Sequence, residues 1–367
     1  MLRRIAKWTG LAAVAGLGAV MIVVLMPIRP TVPALQPRES TEYWTLDGGY
    51  RIAYTRVPST IEPVGSPVLF LHGGPGGYVH SSTIDVLGRL SRLGRDVYLY
   101  DQSGTGLSDR RRPKATTFDS HVRDLYEIVD SHLQATKVVL IGHSYGGEIA
   151  THFASRYPER VEKLVLSSPA VLEPTIFDAD GAWVNVNTYP VPEDLQFIDV
   201  AQSLAEDTGL RRLPPRAIAS IALAFVADVK LASDAELDAA LNTMAAGFTH
   251  NMVCDPANVR PEEGGGGAYS RTSANWYPDD FHDPRPGMRA FQAPVLVIQG
   301  QCDYIPYAAT AEYVDLFPNA AYHFIEGAGH TLWWDRPDAY EHAIAEFLAG
   351  GADVEESAVG QTASENG

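Results

Sequence analysis

Hydrophobic residues along this chain fall into short unbroken runs separated by glycines and polar turn residues. Val68-Leu69-Phe70-Leu71, Val97-Tyr98-Leu99-Tyr100, Val138-Val139-Leu140-Ile141, Leu164-Val165-Leu166, Val295-Leu296-Val297-Ile298 and Tyr322-His323-Phe324-Ile325 are such runs. A strand with one wet face alternates apolar and polar residues, so continuous runs predict strands covered on both faces, as in a parallel sheet. Ahead of them, residues 43–45 and 50–57 flank Asp47-Gly48-Gly49 and predict an antiparallel hairpin.

Between strands the period changes. Phe118, Val122, Leu125, Val129 and Leu133 recur at steps of three and four behind Thr117, a cap residue, which predicts a helix laying one apolar stripe on the sheet. Strand alternating with helix predicts an α/β fold with a mostly parallel, doubly wound sheet. The rhythm breaks over residues 169–286, where 217–230 and 234–246 read as helices and no strand is convincing. A helical cap inserted into the α/β domain accounts for the break, with Gly264 to Gly267 as a flexible loop inside it. The expected organisation is thus residues 42–168 as the first part of the core, 169–286 as the cap and 287–349 as the second part of the core.

The ends differ in character. Arg3, Arg4 and Lys7 precede an uncharged stretch over residues 8–28, and about 20 apolar residues are enough to cross a bilayer core of roughly 30 Å as a helix. No small-x-small cleavage site follows Leu25, so residues 1–30 predict a retained signal anchor in preference to a cleaved signal peptide. The basic flank would stay inside, placing the rest of a membrane-anchored protein outside the cytoplasm, in a periplasmic or extracellular setting. Residues 31–41, with Pro33 and Pro37, read as a stiff linker, and residues 350–367 as a small, polar, acidic tail without order.

Composition narrows the ligands. With 367 residues and 46% hydrophobic content the chain can bury a large core, and a net charge of −17 argues against nucleic acid as a partner. Small neutral or cationic substrates are easier to accept. Cys254 and Cys302 are too few for a disulfide scaffold and lack zinc-site spacing; two free thiols or one bridge both remain open. The 11 histidines are scattered with no His-Glu-x-x-His, and the glycine-rich loops lack a phosphate-binding lysine and dinucleotide spacing. No metal or cofactor is expected.

Nucleophilic chemistry finds all its parts. A serine hydroxyl attacks well only when a base takes its proton and donors receive the developing oxyanion. Gly142-His143-Ser144-Tyr145-Gly146-Gly147 directly follows one strand run and precedes a helix-like segment, a turn that leaves room only for small neighbours and lifts Ser144 to the sheet edge. The Tyr145 N–H, at the helix start, is one oxyanion donor, and Gly74 N–H in His72-Gly73-Gly74-Pro75-Gly76-Gly77 is the second. His330 follows the last strand run and Asp303 the one before it, so both join Ser144 at the same edge in the order serine, acid, histidine. Asp178 and Asp180 stand as alternative acids; His72 and His143 read as structural turn residues, and His323 lies within a strand.

The combination of His72-Gly73-Gly74-Pro75-Gly76, Asp101-Gln102-Ser103-Gly104-Thr105-Gly106-Leu107-Ser108, the Ser144 elbow, Asp303 and Gly329-His330 resembles the proline iminopeptidase family of α/β-hydrolases, in motif order over residues 42–349. The resemblance implies an α/β-hydrolase fold, a triad on Ser144, Asp303 and His330, and oxyanion donors on Gly74 and Tyr145. It also implies release of an N-terminal residue from a small peptide, with cap glutamates holding the substrate amine. Ser103 stands where the family usually has arginine, the elbow has the Gly-His-Ser-Tyr-Gly form common among esterases, and none of Glu173, Glu193, Glu206, Glu236, Glu262 and Glu263 sits in a matching motif. An ester, lactone or thioester hydrolase is therefore the alternative, and a non-catalytic surface binding protein a remote one.

Overall fold

A computed structural model describes residues 18, 21–29, 31–175, 189–198, 213–274 and 281–350. Eight strands form one sheet in the order β1-β2-β4-β3-β5-β6-β7-β8. β1 (Thr41–Thr45) and β2 (Arg51–Val57) make the antiparallel hairpin, with Trp44 opposite Ile52. β2 also runs antiparallel to β4 (Val97–Tyr100); from β4 through β3 (Val68–Leu71), β5 (Val138–His143), β6 (Val161–Ser167), β7 (Val295–Cys302) and β8 (Ala320–Gly329) every pairing is parallel. This is the mostly parallel, doubly wound α/β sheet expected from the runs.

The two-sided burial has a direct cause. Side chains alternate faces along a strand, and on β3 Leu69 and Leu71 join one core cluster while Val68 and Phe70 join the other. The first cluster is closed by α2 (Phe118–Glu127) and α3 (Tyr145–Arg156), through Val122, Leu125, Ile149 and Phe153. The second is closed by α1 (Ser81–Leu87) and, near the C-terminus, by α10 (Pro337–Ala349), through Val86, Leu87, Tyr340 and Ile344. Thr117 caps α2 as its position suggested: its hydroxyl accepts from Ser120 N–H at 3.2 Å while Ser120 Oγ accepts from Thr117 N–H at 2.9 Å.

Between β6 and β7 the described regular elements are helices: α4 (Pro215–Ala227), α5 (Asp234–Phe248) and α6 (Ala268–Ala274), followed by α7 (Arg285–Ala290). Ala217, Ala224, Leu237 and Tyr269 give the first three a small core of their own. α8 (Tyr307–Leu316) connects β7 to β8, and the short α9 (Leu332–Asp335) leads into α10. Gly264 to Gly267, expected as a flexible loop, is instead buried and packed: Gly266 N–H donates to Asn242 Oδ1 at 2.9 Å, Gly267 N–H to Gly76 O at 2.9 Å, and Gly265 O accepts from Gly106 N–H at 2.7 Å. These glycines let the backbone, lacking side chains to separate it, lie directly on the loops after β3 and β4.

The expected membrane anchor is overturned. Among the described residues no helix is long and apolar enough to cross a membrane. The described helical residues there are 18 and 21–25, and residues 1–17, 19, 20 and 30 of the supposed anchor lie outside the described residues. The far end of that span meets charged side chains: Arg216 Nη1 donates to Val24 O at 3.3 Å and Ile28 N–H donates to Glu236 Oε1 at 3.4 Å. Backbone so engaged with the protein's own ionic groups is not in hydrocarbon, so the membrane partner and the location deduced from it are withdrawn. Residues 31–38 are likewise more than a linker. Thr31 Oγ1 lies 2.6 Å from Thr243 Oγ1, Leu35 N–H donates to Gly264 O at 3.2 Å, and Arg38 pairs with Glu263 at 2.9 Å. The acidic tail beyond residue 350, Asp178, Asp180 and Glu206 lie outside the described residues.

Candidate active site

Because β3, β5, β7 and β8 are parallel, their carboxyl ends share one edge, and each delivers one element of the site there. β5 ends at His143, and Ser144 turns the chain into α3 with φ 52° and ψ −123°, a left-handed conformation that non-glycine residues rarely hold. The turn is pinned by Ser144 N–H to Ser167 O at 3.0 Å, and its carbonyl accepts from Gly147 N–H at 2.8 Å and Ala170 N–H at 3.1 Å. Such pinning offsets a strain of about 1–3 kcal/mol. A Cβ on Gly142 would stand 2.5 Å from Gly146 O and 2.6 Å from Gly147 Cα, so the elbow has no room for a side chain there.

Asp303 follows β7 and His330 follows β8. His330 Nδ1 lies 2.8 Å from Asp303 Oδ1, which also accepts from Ile305 N–H at 2.9 Å, and both residues are buried. The carboxylate thus holds the imidazole with a proton on Nδ1 and leaves Nε2 for chemistry. His330 and Ser144 line one cavity of about 720 Å³ together with Gly74 and Tyr304. The Tyr304 ring packs on His330 with centroids 4.2 Å apart, and its hydroxyl interacts with Ser144. Burial pushes the Tyr304 phenol pKa up, keeping it protonated and able to donate. Nothing in the sequence pointed to Tyr304 except its place beside Asp303.

The loop after β3 reaches the site on a polar scaffold. Gln102 N–H donates to His72 Nε2 at 3.0 Å, so His72 carries its proton on Nδ1 and donates to Gly73 O at 2.8 Å; burial lowers its pKa and keeps it neutral. Gln102 Nε2 also donates to His72 O at 2.8 Å. Asp101 accepts from Val79 N–H and Leu107 N–H, both at 2.8 Å, and Ser108 Oγ donates to Asp101 O at 2.6 Å. The Asp101 to Ser108 motif is therefore the brace of the Gly73-Gly74 loop. A Cβ on Gly73 would stand 3.0 Å from Ser144 Cβ, so the loop passes directly over the elbow. Gly74, at φ 148°, sits where a Cβ would meet the Gly76 and Gly77 nitrogens at 2.6 and 2.7 Å.

His143, beneath the site, has its ring 4.8 Å from His330 and edge-on to Trp333, with Nδ1 3.1 Å from Ser167 O; burial first, then the His330 charge, holds its pKa well below the ordinary value. It is a neutral structural partner. Tyr145 is fixed behind the elbow, its hydroxyl 3.0 Å from His121 Nδ1 and its ring edge-on to Phe118.

Charged groups on the cavity lining are Arg29, Arg271 and Glu262. Arg271, an exposed residue, donates from Nη1 to Pro75 O at 3.3 Å. Glu262 accepts from Gly264 N–H at 3.1 Å and interacts with the Tyr78 hydroxyl. Glu263 and Glu236 are ion-paired with Arg38 and Arg216. No pattern in the chain marked Arg29 and Arg271, because neither lies at a strand end; the fold brings them in from the N-terminal segment and α6. Cys254 and Cys302 form a disulfide, and among the described residues no group of three or more histidine, cysteine or carboxylate side chains could hold a metal ion.

A family model described as the alpha/beta hydrolase fold matches residues 66–337. The chain is 27% identical over 297 residues to a proline iminopeptidase of Heyndrickxia coagulans, covering 77% of this chain and 91% of the relative. It is also 27% identical over 285 residues to a 2-hydroxy-6-oxononadienedioate/2-hydroxy-6-oxononatrienedioate hydrolase of Paraburkholderia phymatum, covering 77% and 86%. An esterase structure from Exiguobacterium antarcticum superposes with a TM-score of 0.55 at 19% identity, over 84% of this chain and 98% of the other.

Proposed function

This chain is a hydrolase belonging to the α/β-hydrolase fold family, and from that premise we propose that it cleaves a small acyl compound through a covalent intermediate on Ser144. The observation that supports this reading is the Asp303 to His330 contact at 2.8 Å, with His330 and Ser144 lining one cavity. Ser144 Oγ attacks the substrate carbonyl while His330 Nε2 takes its proton, and the Gly74 and Tyr145 N–H groups receive the oxyanion. His330 then gives the proton to the leaving amine or alcohol. Water, deprotonated in turn by His330, releases the acid and restores the serine.

For the substrate, the first reading is an amide, cleaved to release an N-terminal residue in the manner of the proline iminopeptidase relative. Glu262 supports it, as a carboxylate on the cavity lining able to meet a substrate ammonium. A second reading is an ester or related acyl bond in a compound carrying its own carboxylate. Arg29 and Arg271 on the lining favour it, and the relative named for a dioate substrate is consistent with it.

One panel decides. Full-length protein is given a prolyl arylamide, its N-blocked form, and short aryl esters with and without a distal carboxylate. Cleavage confined to the unblocked amide supports the peptidase; preference for the carboxylate-bearing ester supports the second reading. Ser144→Ala lowers turnover of whichever substrate is used by a factor on the order of 10⁴ to 10⁶. A loss below tenfold refutes Ser144 as the nucleophile.

A further inference from the structure

We propose that Asp335 and the Cys254–Cys302 disulfide form a clamp that holds Asp303 and His330 in mutual register, with Asp335 as a positioning residue; this rests on the acyl-transfer reading of Ser144, Asp303 and His330. The acid and the base stand on the exits of two neighbouring strands, and strand exits have no ladder partner beyond the last pair. Something else must fix their aim.

The segment over residues 252–258, returning from the helices that follow β6, supplies it. Asp335 Oδ2 accepts from Gly329 N–H at 2.8 Å and from Cys254 N–H at 2.7 Å, while Oδ1 accepts from Asp255 N–H at 3.2 Å and Asn258 Nδ2 at 2.8 Å. One carboxylate thereby ties the residue before His330 to that segment. On the other side of His330, Thr331 N–H donates to Met252 O at 2.9 Å. The third attachment is covalent: Cys254 is bridged to Cys302, the residue before Asp303, with Cα atoms 5.2 Å apart. Cys302 and Gly329 are themselves partners in the β7–β8 register, so the disulfide, the carboxylate and the sheet close a ring around the exits of both strands.

The chemistry of each member suits this task. A carboxylate is acceptor-only with two oxygens, and here four donors converge on it. Asparagine, of the same shape, would turn an NH₂ group toward at least one of those N–H groups. Gly329 is needed because a Cβ there would lie 2.5 Å from Val253 Cα and 2.6 Å from Met252 O. The clamp acts at a distance from substrate, through the orientation of His330, and a displacement of about 1 Å at a reacting group costs roughly 10²-fold in rate.

The test uses the full chain and an aryl ester or arylamide that it turns over, with kcat and KM measured separately alongside the thermal midpoint. Asp335→Asn is expected to lower kcat on the order of 10²-fold with KM within about threefold, and Asp335→Glu, which keeps the carboxylate, to recover part of the loss. The Cys254→Ser/Cys302→Ser protein is expected to lose at least roughly tenfold in kcat, and the combined variant to lose less than the product of the two, because both act through one clamp. Should Asp335→Asn fail to fold, the cysteine variant tests the clamp in its place. A kcat within threefold of the parent in a folded variant, or a change confined to KM, overturns the clamp. If Ser144→Ala also retains activity, the hydrolase reading itself has failed; if Ser144→Ala is inactive and the clamp variants are not impaired, only the clamp has.

Discussion

Replacing Asp303 by asparagine tests the site at its most constrained contact. Oδ1 of Asp303 accepts both His330 Nδ1–H at 2.8 Å and Ile305 N–H at 2.9 Å, so an asparagine oxygen can replace it sterically and the fold is expected to survive. What disappears is the negative charge beside an imidazole that becomes cationic as Ser144 gives up its proton. Two unit charges about 4 Å apart at an effective dielectric of about 20 interact by about 4 kcal/mol, which is roughly 10³-fold in rate. The amide can also turn its NH₂ toward His330, favouring the tautomer with its proton on Nε2, which cannot act as base. The expected loss in kcat is therefore about 10³- to 10⁴-fold with little change in KM. The assay is single-turnover labelling by a fluorophosphonate, which reports serine activation because fluoride leaves without a proton from His330, paired with steady-state ester hydrolysis. Labelling and turnover both within tenfold of the parent would refute Asp303 as the partner of the base.

Gly142→Ala places a methyl 2.5 Å from Gly146 O, against backbone that cannot swing away; a stability loss of about 1–3 kcal/mol by urea unfolding is expected, with turnover falling more than stability, and an unchanged midpoint would contradict the tight elbow. His121 donates from Nε2 to Ser103 O at 3.1 Å, so its Nδ1 accepts from the Tyr145 hydroxyl, and burial holds its pKa down to about 4 against an ordinary 6.5. A depressed histidine contributes stability above about pH 6.5 that is lost as pH falls toward 4, here about 2 kcal/mol between pH 7 and 5. His121→Gln, which keeps one donor and one acceptor, should show a correspondingly smaller drop in unfolding free energy over that interval; an identical drop would refute a buried neutral His121.

Much of the fold was legible because sheet burial leaves a mark on every residue of a strand. The unbroken runs at Val68, Val138, Leu164 and Val295, short and bounded by turn residues, read as strands covered on both faces, and strands of that kind imply parallel order and crossover helices. Parallel order in turn gathers strand exits at one edge, which is why the Gly-x-Ser-x-Gly turn at Ser144 and the strand-end positions of Asp303 and His330 marked the three together as candidates. The Asp101 to Ser108 motif was visible but its task was not: it braces the Gly74 loop through hydrogen bonds to His72 and Val79 that no spacing predicts.

What the sequence by itself determined, then, is everything that depends on local period and chain order: the sheet, its helices, the elbow and the strand-end residues. The tertiary structure alone decided which distant segments meet there. It set Val24 and Ile28, at the end of the stretch that read as an anchor, against Arg216 and Glu236, buried the glycines at 264–267, joined Cys254 to Cys302, and set Arg29, Arg271 and Tyr304 on the cavity wall. The physical reason is the same for each. Hydrophobic periodicity reports only whether a residue is buried, whereas the partner of a charge, a thiol or a bare backbone is chosen in three dimensions by whatever the closed fold brings within reach.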